Sequence, residues 1–138
     1  MVRLVDAGAE SHPVAVRAVS VLLGSGESCF LTPQVLIEFW AVATRPTTAN
    51  GLGWKVGKTR EEVDQLLDHF PLLEDTPAVF PTWLNLATAH PVVGKRVHDL
   101  RLMAVMRAHD VTHLLTFDVE DFPANAGISL VHPRQLAG

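Results

Sequence analysis

"GKRVHDLRLMAVMRAHDVTHLLTFDVEDF", residues 94–122, decides the fold of this chain. Its first half is apolar at nearly every position between Leu100 and Met106, and it predicts a helix over 97–109 that is buried on most sides. A short link follows, then "HLLTF", an apolar run of strand length. Directly after the run come Asp118, Glu120 and Asp121. A buried helix feeding a short apolar strand that ends in acid is one unit of an α/β fold with a largely parallel sheet, whose strands are covered on both faces. Such sheets carry their sites at the carboxyl ends of their strands.

The rest of the chain repeats the alternation. Ser11 and Pro13 suit a helix start, with Val14, Ala18, Val21 and Leu22 at helical spacing, and "GSGES" closes that helix. "CFLT" reads as a buried strand, and Pro33 opens a helix through "VLIEFWAVA", residues 35–43. Residues 45–58 read as a loop. Thr59 with Glu62 reads as a capping box for a helix to about Asp68. "FPLLE" reads as another strand, residues 77–89 as a helix ending before Pro91, and "ISLV" as the last strand.

A chain of 138 residues builds one domain and not two. Hydrophobic residues make up 48 % and charged ones 19 %, which suits a compact, well-buried domain. The longest apolar runs are too short to span a bilayer, nothing at the start reads as a signal peptide, and one cysteine, Cys29, points to a reducing compartment and rules out Cys-based metal sites. The net charge of −4 gives no general attraction for nucleic acid, so such a partner needs a local basic patch.

Three carboxylates stand in the same unusual setting. Glu38 lies on a helix with Val35, Ala41 and Val42 as its i−3, i+3 and i+4 neighbours, where an unpaired charge would be costly. Asp99 shares a face with Leu102, Met103 and Met106, near a helix start whose dipole favours an anion. Asp118 follows a strand, with Asp121 three residues on. Clustered carboxylates repel, so a cation holds them together, and oxygen-only ligands select hard ions, Mg²⁺ or Mn²⁺ above all. The plainer reading pairs Glu38 with an Arg or Lys, makes Asp99 a helix cap and starts a turn at Asp118.

"TPQVLIEFWAVATRP", the 94–122 segment and the final "GISLVHP" resemble, in order and over nearly the whole chain, the PIN domain, specifically the VapC type of toxin–antitoxin nucleases. The resemblance implies a three-layer α/β/α fold with a central parallel sheet, and a Mg²⁺- or Mn²⁺-dependent endoribonuclease acting as the toxin of a VapBC-type pair. It implies an RNA substrate, a cognate antitoxin, a homodimer and a cytoplasmic setting. It places catalytic and metal-binding roles on Glu38, Asp99 and Asp118, with Asp121 as a further metal ligand. The chain departs from the family pattern at its start. The family opens with a strand ending in a ligand aspartate, whereas "VRLVDAGAESHP" resembles the segment beyond it. On that register residues 1–138 form a single domain truncated in its first strand and the ligand precedes Met1; on the alternative register Asp6 in "LVDAG" is itself that ligand.

Arg45, Lys95, Arg96 and Arg101 flank the acidic motifs, either to hold an RNA backbone or as ordinary surface charges and partners of the acids. His98 is either a proton shuttle or a surface residue. The histidines include no i, i+4 pair on a helix, so a zinc site is rejected. Trp40, Trp54 and Trp83 read as core or interface residues, and Thr116 as an orienting hydroxyl. Besides the nuclease, a catalytically impaired PIN-fold module that still engages an antitoxin fits the sequence. A response-regulator receiver does not, because "ISLVHP" lacks the lysine it needs after the last strand.

Overall fold

The computed structural model describes residues 2–4, 12–94, 96–116, 119–123 and 127–137. In chain order the elements are β1 (Val2–Leu4), α1 (His12–Gly24), β2 (Cys29–Phe30), α2 (Pro33–Thr44), α3 (Val56–His69), α4 (Val79–Ala89), α5 (Arg96–Ala108), β3 (His113–Leu115), β4 (Ser129–Val131) and α6 (Pro133–Ala137). The sheet order is β2-β1-β3-β4, and every pairing is parallel.

Layering follows from β3. Successive side chains of a strand point to opposite faces. Leu114 accordingly joins one apolar cluster and Leu115 the other, both with no exposed surface. On the Leu114 side lie α5 and residues of α2 and α4, including Val35, Val79, Leu86, Leu100 and Met103. On the Leu115 side lie Ala18, Val19 and Leu22 of α1 with Cys29, and Leu136 of α6 packs against them. The sheet is thus covered twice, giving the expected three layers. Residues 102–106 of α5 are buried without a break, because that helix is enclosed between sheet and α4. Each large apolar side chain buried there contributes about 1.5–3 kcal/mol.

Three expectations are corrected. Residues 2–4, read as chain leaving the first strand, are themselves strand: Val2 pairs with Cys29 and His113, and Leu4 with Leu115. These three residues bridge β2 and β3, so β1 lies in the interior of the sheet. Thr59 is not a cap. The helix begins earlier, at Val56, and Thr59 is buried within it, donating its hydroxyl to the Lys55 carbonyl at 2.9 Å. "FPLLE" contributes only a bridge between Leu72 and Leu31, with Leu31 N–H donating to Pro71 O and Leu73 N–H to Leu31 O. The α6 helix was not foreseen. In the 45–55 connection Gly51 is required, because a β-carbon there would run into the Arg45 carbonyl.

Candidate functional site

The connectivity brings three helix and strand ends to one edge. α2 starts just past the carboxyl end of β2, held by Thr32, whose side chain accepts the Val35 N–H at 3.2 Å, and by Pro33 in the first turn. α5 leads back into β3, so its first turn lies at the edge where the parallel strands end. The turn Val119–Asp121 follows β3 at the same edge. Between them opens a cleft of about 690 Å³ lined by Gln34, Ile37, Glu38, Arg96, His98, Asp99, Arg101 and Asp121.

Glu38 and Asp99 thus share one cleft with Asp121. Asp118 and Asp6 lie outside the described residues, as does Lys95. Arg45 sits beyond the far end of α2 and is not in the cleft wall. Glu38 differs from its expected setting. The buried side of α2 runs through Gln34, Val35 and Ala43, while Ile37, Glu38 and Ala41 are exposed, so the carboxylate is solvated and no large burial penalty arises. Asp99 is half-buried in the first turn of α5, where the helix dipole favours it.

The polar partners are specific. Gln34 Nε2 donates to Glu38 Oε1 at 3.0 Å and to the His98 carbonyl at 2.6 Å. Gln34 Oε1 accepts from Arg101 Nη1 at 3.0 Å, and Arg101 Nη2 donates to Asp75 Oδ2 at 2.7 Å. Arg96 stands 3.5 Å from Asp121 Oδ1 and donates to the Glu120 carbonyl. Arg96 and Arg101 are therefore in the cleft wall and paired with acids, though Arg101 pairs with Asp75 and not with Glu38. Sequence reasoning passed over Gln34, whose signal was its place four residues before Glu38, one helical turn away on the same face.

The acidic side chains present only oxygen to the cleft, a donor set suited to a hard cation. Among the described residues, no three His, Cys, Asp or Glu side chains stand close enough together to hold an ion by themselves. Mg²⁺ keeps several waters and often takes only one or two protein carboxylates, so the pair Glu38 and Asp99 fits that demand.

His98 is exposed and lines the cleft, and Thr116 is fully buried. Trp83 Nε1 donates to the Val97 carbonyl at 2.8 Å, and Trp54 packs edge-on against Phe39 with Lys58 Nζ 4.5 Å from its ring centre. Trp40 lines a second groove of about 400 Å³ between α2 and α3, with Leu36, Ile37, Ala41 and Val63. Ile37, 69 % exposed, borders both hollows.

A parallel sheet covered on both faces carries its sites at the carboxyl edge, and the cleft with Glu38, Asp99 and Asp121 lies there. The PIN domain family model matches residues 2–127, and the chain belongs to that family, whose members are generally nucleases. Among solved structures it is similar in fold to VapBC2 from Rickettsia felis, crystallised with a DNA fragment from their promoter. The TM-score is 0.66 at 15 % identity, covering 96 % of this chain and 98 % of that one. No curated protein matches the sequence. Among the described residues, no helix is long and apolar enough to cross a membrane.

Proposed function

We infer that this chain is a divalent-metal-dependent endoribonuclease of the VapC type, the toxin of a toxin–antitoxin pair. The observation that carries this reading is the convergence of Glu38, Asp99 and Asp121 on one cleft with two arginines in its wall. Glu38 and Asp99 would hold Mg²⁺ or Mn²⁺, with Asp118 and Asp121 as further carboxylates. Asp6, two residues along the chain from Leu4 at the end of β1, is a candidate first ligand by its place in the sequence. When bound, the ion supplies charge neutralisation at a phosphodiester oxygen and a more acidic water.

The protein's own part is placement. α2 and α5 present their carboxylates from rigid helices, and misplacement of a reacting group by about 1 Å can cost ~10²-fold in rate. Arg96 and Arg101 each carry more donors than their present partners use, and these suit the phosphates flanking a scissile bond. Arg45 and Lys95 would extend that track along the RNA. The apolar groove at Trp40, continuous with the cleft through Ile37, suits the apolar face of an antitoxin helix. The exposed Phe80 and Leu84 on α4 suit a homodimer contact. Cytoplasmic residence accords with this role.

Cleavage of single-stranded RNA with Mg²⁺ or Mn²⁺ tests the reading. The wild-type chain should cleave, and Glu38→Gln, Asp99→Asn and Asp6→Asn should each lose at least ~10²-fold, with EDTA abolishing activity. Asp99→Asn should still fold cooperatively in metal-free buffer, so that its loss of cleavage is not a loss of structure. If the wild type cleaves no RNA under any metal while still binding an antitoxin, the impaired binding module replaces the nuclease.

A further inference from the structure

The side chain that joins the two carboxylate-bearing helices is Gln34. It lies one turn before Glu38 on α2, is only 9 % exposed, and lines the cleft. Three hydrogen bonds fix its amide: two donated by Nε2, to Glu38 Oε1 and the His98 carbonyl, and one accepted by Oε1 from Arg101 Nη1. The orientation of the amide follows from this chemistry. A flip would turn its oxygen toward a carboxylate and a carbonyl, and its NH₂ toward a guanidinium, so that all three bonds would be lost together. The His98 carbonyl belongs to the residue next to Asp99. One amide therefore holds the Glu38 carboxylate and the backbone beside Asp99 at once, while Arg101, anchored on Asp75, holds the amide from behind.

We propose that Gln34 is a positioning residue that sets the separation of Glu38 and Asp99 for a divalent cation. The proposal rests on the metal-dependent reading of the cleft. A side chain that hydrogen-bonds a ligand carboxylate fixes its orientation, and removing such a partner typically costs 10–100-fold in metal affinity. Gln34→Met keeps the length and the stem and removes all three bonds. It should weaken Mn²⁺ binding, measured without RNA by electron paramagnetic resonance, by about 10-fold. Where RNA cleavage is measured, kcat should fall with little change in KM for RNA, since Gln34 acts on the carboxylates rather than on the nucleic acid.

A double-mutant cycle separates this role from a general structural one. If Gln34 acts through Glu38, adding Gln34→Met to Glu38→Gln should weaken Mn²⁺ binding by much less than adding it to wild type. Gln34→Asn, which keeps an amide too short to span both acceptors, should resemble Gln34→Met and serves in its place if the latter fails to fold. Three results bear on it differently. Affinity within twofold of wild type in Gln34→Met and Gln34→Asn, with Glu38→Gln weakened, overturns the positioning role and leaves the nuclease reading standing. Fully additive losses in the cycle also overturn it, since Gln34 would then act elsewhere. Wild type and Glu38→Gln that both fail to bind Mn²⁺ overturn the metal-dependent reading itself, and the positioning role with it.

Discussion

Arg101→Met is the substitution that distinguishes a cation kept for a ligand from a cation built into the frame. Met keeps the apolar stem and removes the guanidinium, so packing of the stem is largely spared. Two interactions go. The pair with Asp75 has a separation of 2.7 Å, but its side chains are 38 % and 42 % exposed, and pairs so open to water contribute about 0–1 kcal/mol. The bond to Gln34 Oε1, at 3.0 Å, is part-buried, and leaving that acceptor without its donor costs about 1 kcal/mol. The expected loss is therefore about 1–2 kcal/mol. For a domain of this length each kcal/mol moves the melting temperature by about 4 °C, so a fall of ~4–8 °C is expected in low salt. In about 1 M NaCl the ion-pair share is screened, and Arg101→Met should then differ less from wild type. Asp75→Asn should reproduce only the ion-pair share, under about 1 kcal/mol. Calorimetric or fluorescence melts of the three proteins at two salt concentrations make the measurement. An Arg101→Met melting temperature within ~1 °C of wild type in low salt refutes the reasoning, and Arg101 would then be a cation held in reserve for RNA.

Two further outcomes follow from the core. Leu114→Ala removes a side chain with no exposed surface between sheet and α5, and it should cost about 2–5 kcal/mol by urea unfolding; a loss below ~1 kcal/mol would mean the two-faced packing of β3 is wrong. Burial first, and then the nearby Glu27 carboxylate, push the Cys29 thiol above its ordinary range, so a thiol reagent at neutral pH should react slowly with the folded protein and fast in denaturant. Because the folded value is the higher one, this stabilising contribution is fully present below the unfolded thiol's pKa. It is lost as pH rises through the folded value, and Cys29→Ala should flatten that alkaline fall; reagent modification at equal rates in folded and unfolded protein would refute the assignment.

Much of the architecture was legible from residues 94–122, because a helix apolar at nearly every position from Leu100 to Met106 is stable only where most of its surface is covered, between a sheet and another helix. The alternation of short apolar strands with helices gave the class, and Pro33 marked where α2 begins, whereas Thr32, its cap, falls in the run "CFLT" that reads as strand. Turn and cap chemistry was less readable. Thr59 and Glu62 match a capping pattern, yet Thr59 lies inside the helix at the end of its first turn, since a hydroxyl can equally donate to a carbonyl one turn back. The carboxylates of Glu38 and Asp99 were found from their neighbours, but their settings were not: local sequence gives a helix face, and only packing decides which part of that face is covered. Glu38 proved exposed where its apolar neighbours suggested burial. That β1 lies in the interior of the sheet, that Arg101 spends its guanidinium on Asp75 and Gln34, and that Gln34 ties α2 to α5 were decided by tertiary structure alone. The reason is separation along the chain. Gln34 meets Arg101 across 67 residues and the His98 carbonyl across 64, and no periodicity in one sequence carries the geometry of contacts so distant.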